Sequence, residues 1–158
     1  MNTFFAFSNI YNADSAITIG ELPALKSVGF NAFLRFNGVL IIDAGSCPNL
    51  ASIELSAFDG VTNSKSSISF FNLIGLKTIG ASAFKDFKGA LFLDGGALST
   101  SFPALTSAEG TAFAGTSNTD SIIYLPEVGS VKILEDAIAA GDFRGTIKYG
   151  KIVGCGES

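Results

Sequence analysis

The chain of 158 residues contains no histidine, no tryptophan and only two cysteines. Histidine is the most frequent general base and metal ligand in proteins, so its absence excludes Ser-His-Asp catalysis, Cys-His catalysis and the usual zinc sites within this chain. The carboxylates form no pair whose spacing would indicate hydrolysis by two acids. We therefore expect a protein that is not an enzyme and that has no catalytic residue, no metal site and no cofactor.

Basic residues and long apolar runs are scarce as well. The 10 Lys and Arg residues stand against 14 Asp and Glu, and no basic run is present, so nucleic acid is not an expected partner. Charged residues interrupt every apolar stretch well before the ~18 residues of a membrane-spanning helix, so we expect no membrane insertion. No basic residue precedes Lys26, so the beginning of the chain lacks the pattern of a secretory signal peptide.

Repetition is the feature that the chain has in abundance. The dipeptide Ala-Phe occurs five times, and Ala137-Ile138 is a degenerate sixth copy, at steps of 25 to 29 residues. The alanines of these pairs are Ala6, Ala32, Ala57, Ala83, Ala112 and Ala137. In four copies a leucine lies seven residues before the alanine, and three of these copies contain the full phrase Leu-x-x-(Ile/Val)-x-x-x-Ala-Phe. A unit of this length cannot bury its apolar side alone, so stacked units must share one core.

The units alternate between two types. Asn-type units carry an asparagine six residues after the alanine, and Gly-type units carry a glycine there or, in the last copy, after a two-residue insertion. The asparagines are Asn12, Asn63 and Asn118, and the glycines are Gly38, Gly89 and Gly145. A serine follows each asparagine, and we align these as Ser15, Ser67 and Ser121. We expect the asparagine side chains to cap backbone groups in the loops.

The fold that this pattern predicts is a repeat solenoid of about six coils of ~25 residues, over 1–150, with 151–158 as a C-terminal tail or cap. Six short alternating runs predict a parallel sheet on one side. They are Ala16–Ile19, Val39–Ile42, Ser67–Phe70, Ala90–Leu93, Ile122–Leu125 and Thr146–Tyr149. We expect the Ala-Phe segments to form helical or 3₁₀ turns on the opposite side, with their phenylalanines stacked as a ladder.

The repeated phrase resembles the BspA-type leucine-rich repeat, whose signature is Leu-x-x-Ile-Gly-x-x-Ala-Phe. Residues 76–84 match it at every position, and residues 25–33 match nearly as well. The cysteine that commonly follows Ala-Phe in that family is missing here. The resemblance implies that the solenoid is leucine-rich-repeat-like. It also implies an adhesion-type domain that binds a protein or glycan at the cell surface or outside the cell, with no catalytic residues to carry over.

The outer side of the predicted sheet is the candidate binding site. We expect one row to point inward, comprising Ile17, Leu40, Ile68, Leu91, Ile122 and Ile147. The following residues then form an outward row of Thr18, Ile41, Ser69, Phe92, Ile123 and Lys148. An exposed apolar stripe on a regular sheet often marks a contact surface, so we select Ile41, Ser69, Phe92, Ile123 and Lys148 as binding residues. The alternative is a phase error of one residue, which would bury the stripe.

Four other residues and one segment have a structural explanation. Asp94 directly precedes Gly95, and Asp43 lies two residues before Gly45. We therefore favour the interpretation that both aspartates form turns over the alternative that they form a row of cation ligands. Residues 145–151 resemble a phosphate-binding loop, but Ile152 stands where a Ser or Thr is needed and the segment overlaps a predicted strand. Cys47 and Cys155 lie several coils apart, so we expect two free thiols.

Two functions from different classes remain open. The first is non-enzymatic binding of a protein or glycan by the sheet face. The second is a self-assembling structural component, such as a virion or surface-layer protein. In that case the apolar sheet face or an open end of the solenoid would form a homo-oligomer contact.

Overall fold

Six parallel strands, one from each repeat unit, form the main sheet of the computed structural model, which describes residues 7–95, 102–125 and 132–149. They are β1 (Ala16–Ile19), β3 (Val39–Ser46), β5 (Ser67–Phe71), β7 (Ala90–Asp94), β9 (Ile122–Leu125) and β10 (Thr146–Tyr149). Their order is β1-β3-β5-β7-β9-β10, and the chain winds as a parallel solenoid of about five turns. Each strand contains the run predicted for it, so the expected solenoid and its parallel sheet are confirmed.

A second parallel sheet of two-residue strands, which we did not predict, lies across the core from the first. It contains β2 (Ser27–Val28), β4 (Ser52–Ile53), β6 (Thr78–Ile79) and β8 (Ser107–Ala108), in that order. The second residue of the first three strands is the Ile or Val of the repeated phrase, and it is buried. The apolar position three residues after each leucine therefore holds this sheet against the core.

In the described part of the first five units, the Ala-Phe segments are hydrogen-bonded turns, in agreement with the helical or 3₁₀ turns that we expected. The third residue after each alanine has a positive φ, from 53° to 72° in all five units, which stops a right-handed helix from continuing. Several backbone N–H groups in these turns donate to the next unit: Phe33 N to Ala57 O at 2.8 Å and Phe58 N to Ala83 O at 2.7 Å. Hydrogen bonds between units thus replace the bonds of a helix.

The last unit differs, because its degenerate Ala137-Ile138 pair lies in a helix, α1 (Lys132–Ala140). Leu134, Ala137 and Ile138 have the helical spacing that places them on one face, and all three are buried. Lys132 and Asp136, one turn apart on the exposed side, form an ion pair of 2.7 Å. The helix packs against β8 of the second sheet. Among the described residues no helix has the length and apolarity required to cross a bilayer.

The predicted phenylalanine ladder runs through the core and is confirmed. Successive rings of Phe7, Phe33, Phe58, Phe84 and Phe113 are stacked, with centroids 5.3 to 5.5 Å apart and planes within 17° of parallel. The four ladder rings from Phe33 to Phe113 belong to one continuous apolar cluster with the inward residues of the main sheet. The main sheet is therefore held on one side by a rigid core, and its other side forms an outer surface.

Candidate functional site

The outer face, meaning the side of the six-stranded sheet away from the core, is defined by the alternation of each strand. In β5, Ile68 and Phe70 are fully buried, whereas Ser67, Ser69 and Phe71 are partly exposed. The same alternation holds in β7, where Leu91 and Leu93 are buried between partly exposed neighbours. Since side chains alternate between the two faces of a strand, every second residue belongs to the outer face.

Four of the five predicted binding residues lie on the outer face. Ile41 is 36% exposed, Lys148 is exposed, and Ser69 and Phe92 are partly exposed. The predicted inward residues Leu40, Ile68 and Leu91 are buried, and Ile17 and Ile147 pack against the core.

The placement of Ile123 was wrong. Its side chain is 0% exposed and belongs to the core, while Ile122 is partly exposed on the outer side. The error is a shift of one residue in the alignment of β9. The buried residue of each Asn-type strand comes five positions after the asparagine, as in Asn63 to Ile68 and Asn118 to Ile123. That offset could have placed Ile123 correctly.

The same offset identifies a serine that the sequence alignment missed. Ser66, not Ser67, is equivalent to Ser121, since each comes three residues after the asparagine of its unit. Both serines are buried, and each side-chain Oγ lies 3.0 Å from a backbone N–H of the preceding unit, from Leu40 to Ser66 and from Leu91 to Ser121. These serines therefore join neighbouring units and are not part of the outer face.

The predicted outward residues do not form one row across the sheet. Ile41 lies opposite Thr18 and Ser67. Phe92 lies opposite Ser69 and Ile122, in a second row, and Lys148 lies opposite Tyr124, in a third. The rows separate because the pairing shifts by two residues wherever a Gly-type strand meets the following Asn-type strand. Because side chains alternate between the two faces of a strand, a register shift of two residues leaves each side chain on the same face but moves it to a different row.

An aromatic pair occupies the middle of the outer face. The rings of Phe71 and Phe92, on neighbouring strands β5 and β7, have centroids 5.0 Å apart and planes inclined at 46°. Both side chains are partly exposed. Phe71 was not predicted as an outer-face residue, because the predicted strand ended at Phe70. The alternation Ser67, Ser69, Phe71 continues one residue further and is the signal that could have found it.

Asp43 and Asp94 do not form an acidic row. Asp43 lies opposite Ser69, whereas Asp94 lies opposite Tyr124, so the two carboxylates belong to different rows. The expected turn at Asp43 is also wrong, because β3 continues to Ser46. Gly45, with φ 61°, lies where the β3–β5 pairing shifts register. The chain therefore has a local irregularity within the strand at this point, and not the turn that we expected. Within the described ranges no group of three potential metal-ligating side chains is found.

The three loop asparagines have the capping role that we predicted. The Oδ1 atoms of Asn12, Asn63 and Asn118 each accept a backbone N–H two residues further on, at 2.7 to 3.0 Å. The side-chain amides of Asn63 and Asn118 also donate to carbonyl oxygens of the preceding unit. These contacts stabilise the loops and leave the outer face to other side chains.

A charged groove of about 410 Å³ lies on the turn side of the solenoid, and it is lined by Arg35, Asp59, Gly60, Thr62, Lys85, Asp86 and Lys88. Lys85 Nζ lies 2.9 Å from Asp86 Oδ2 and 3.9 Å from Asp59 Oδ1. Burial raises the pKa of Asp59, an effect that the charge of Lys85 opposes. Because its carboxylates are already paired with a lysine of the same groove, we do not select it as the binding site.

The expected free thiol at Cys47 is confirmed. This cysteine is buried, its Sγ donates to Ala44 O at 3.5 Å, and burial raises the pKa of the thiol. Cys155 lies outside the described residues. The segment that resembles a phosphate-binding loop contains β10, as predicted, and its last two residues also lie outside the described part.

Comparison with protein-family models, with curated proteins and with solved structures finds no match for this chain. The function must therefore be inferred from the geometry of the outer face and from the contacts between units.

Proposed function

We propose that the chain is a non-enzymatic binding domain that presents its outer face to a protein or glycan at the cell surface, as BspA-type repeat proteins are thought to do. The observation that carries the proposal is the Phe71–Phe92 pair on the outer side of a sheet whose inner side packs against the apolar core. Large aromatic side chains on a firmly held surface are the groups that contribute most to recognition.

The surroundings of the pair favour contact with a flat partner. Ser69 lies directly opposite Phe92, and Ser67 and Ala90 pair in the adjacent row, so small side chains border the rings on this side, whereas Asp94 follows Phe92 on the outer face two residues later. Ile122 extends the apolar surface on the next strand. A protein surface or the apolar face of a sugar ring could lie across this region. The strands are held by ladder bonds on both sides, so little conformational entropy would be lost on binding.

The test is a Phe92→Asp variant, assayed with an immobilised panel of oligosaccharides and extracellular-matrix proteins. We expect the wild-type chain to bind at least one member of the panel. Burying a carboxylate against an apolar partner should lower the affinity by about thirtyfold or more, the loss typical of an interface hot spot. The measurement is surface plasmon resonance, with circular dichroism to verify that the variant is folded.

The matched control is Leu55→Asp, which introduces the same charge at a side chain that is 44% exposed but lies outside the main sheet. It should bind as the wild type does. A folded Phe92→Asp chain with unchanged affinity, or an equal loss in the Leu55 control, would rule out the outer face as the site.

A further inference from the structure

The two ends of the main sheet belong to different unit types. The six units form three complete Asn–Gly pairs, so β1 comes from an Asn-type unit and β10 from a Gly-type unit. Inside the solenoid, a Gly-type strand is always followed by an Asn-type strand, as β3 is followed by β5 and β7 by β9. The outer edge of β10 is therefore the edge of a Gly-type strand, and inside the solenoid that edge pairs with an Asn-type strand such as β1.

Two hydrogen bonds characterise each internal step from a Gly-type to an Asn-type unit. The first runs from a strand N–H to a serine Oγ, from Leu40 to Ser66 and from Leu91 to Ser121, at 3.0 Å in both cases. The second runs from an asparagine Nδ2 to a loop carbonyl. Its two copies are Asn63 to Asn37 at 3.4 Å and Asn118 to Lys88 at 2.9 Å.

The end units hold the matching halves of both bonds. Ser15 and Asn12 are the equivalents of the serine and asparagine, and in the described part of the chain neither Ser15 Oγ nor Asn12 Nδ2 contacts another unit. At the opposite end, Ile147 is equivalent to Leu40, and Arg144 O is equivalent to the accepting carbonyl. Thr146 N donates to Ser121 O at 2.8 Å, so the alternation of the strand directs Ile147 N–H to the outer edge.

Burial follows the same pattern. Phe36 and Phe87 of the internal Gly-type units are fully buried, whereas their equivalent Phe143 is only partly buried. Ile68 and Ile123 are fully buried, whereas their equivalent Ile17 is only partly buried. Covering either end with a further unit would remove this apolar surface from water, which is favourable.

We propose that two copies of this chain associate head to tail, with β10 of one copy pairing in parallel with β1 of the next. The internal register places Lys148 opposite Ala16 and Tyr149 opposite Ile17, with Ile147 N–H donating to Ser15 Oγ. Helix α1 packs against β8 of the second sheet, so the contact uses the main sheet. Because the two surfaces differ, the contact is heterologous and repeats, producing open linear assemblies.

The test uses Thr18→Pro and sedimentation velocity on the full chain over a wide concentration series. Ser15 O accepts Val39 N–H, so the alternation of β1 directs Thr18 N–H to the outer edge. Proline there removes a donor for which the described residues of the same chain show no acceptor. We expect the wild-type average mass to rise with concentration and the variant to stay monomeric. Thr18→Ala keeps the N–H and should associate as the wild type does.

A mixing experiment tests the head-to-tail arrangement. The Thr18→Pro chain keeps an intact β10, so a small amount should bind the β1 end of wild-type assemblies and shorten them. Ser15→Ala, which removes only the hydroxyl, should weaken association about fivefold and remains informative if the proline variant does not fold. A wild type that is monomeric throughout, or assemblies that neither the proline nor the serine variant weakens, would overturn the proposal. Because Phe92 lies away from the β1 and β10 edges, a negative result for head-to-tail association would not contradict the proposed binding function.

Discussion

At the scale of single residues, the glycine that defines each Gly-type unit is required by close approach of the chain. A Cβ on Gly38, Gly89 or Gly145 would collide with a carbonyl oxygen of the preceding unit, on Ser15, Ser66 or Ser121 respectively. The neighbouring bond, from Val39 N, Ala90 N or Thr146 N to that same oxygen, needs this short distance. The spacing of these glycines in the sequence therefore indicates the positions at which the backbones of adjacent units come into close contact.

Replacing Gly89 by alanine should therefore destabilise the fold. The new methyl group has to push apart two backbone segments in the middle of the solenoid, which typically costs about 1–3 kcal/mol. Gly20→Ala is the matched control, because nothing lies within 4 Å of a Cβ there. It should change the free energy of unfolding by no more than about 0.5 kcal/mol. Urea unfolding monitored by circular dichroism measures both, and equal effects would contradict the packing argument.

At the scale of elements, the phenylalanine ladder stabilises the turns on the side of the core opposite the main sheet. Phe58 is fully buried and stacks on both Phe33 and Phe84. Phe7, at the first described turn, is 38% exposed and stacks on Phe33. The contribution of a ladder ring should thus depend on its position along the solenoid.

We expect Phe58→Ala to lower the free energy of unfolding by about 3–5 kcal/mol, through lost burial and a cavity between two rings. Phe7→Ala should cost clearly less, since part of that ring already contacts water. Guanidinium unfolding of the two variants at one protein concentration measures the difference. A loss at Phe7 as large as that at Phe58 would mean that the end of the ladder is covered.

At the scale of the whole molecule, each unit contacts its neighbours along the array, so stability should vary along the solenoid. Strands β5 and β7 are hydrogen-bonded on both sides, whereas β1 and β10 are the edge strands of the sheet that the described residues form. In dilute solution, hydrogen exchange should be slowest at Ile68 and Leu91 and faster in the edge strands, which open locally. Mass spectrometry of peptic fragments resolves this, and uniform protection would instead indicate one cooperative unit.

Four features were predictable from the sequence: the solenoid, the six strands of the main sheet, the phenylalanine ladder and the asparagine caps. Each depends on contacts that recur in every unit or every second unit, so the repeat displays them as a pattern. Asn118, for example, accepts from Asp120 N–H two residues away, a contact set by local chain geometry. The buried position of Ile123 was also readable from its offset to that asparagine, although the alignment missed it.

The composition of the rows on the outer face, in contrast, depends on contacts between units and was not predictable from the sequence. The pairing of one strand with the next is set by bonds between units, such as Leu40 N–H to Ser66 Oγ, and these shift the register by two residues without changing the alternation. That shift separates Ile41 from Phe92. The second sheet and the Phe71–Phe92 pair likewise depend on contacts between units. A periodic sequence indicates that neighbouring units stack, but it does not indicate the register in which their strands pair.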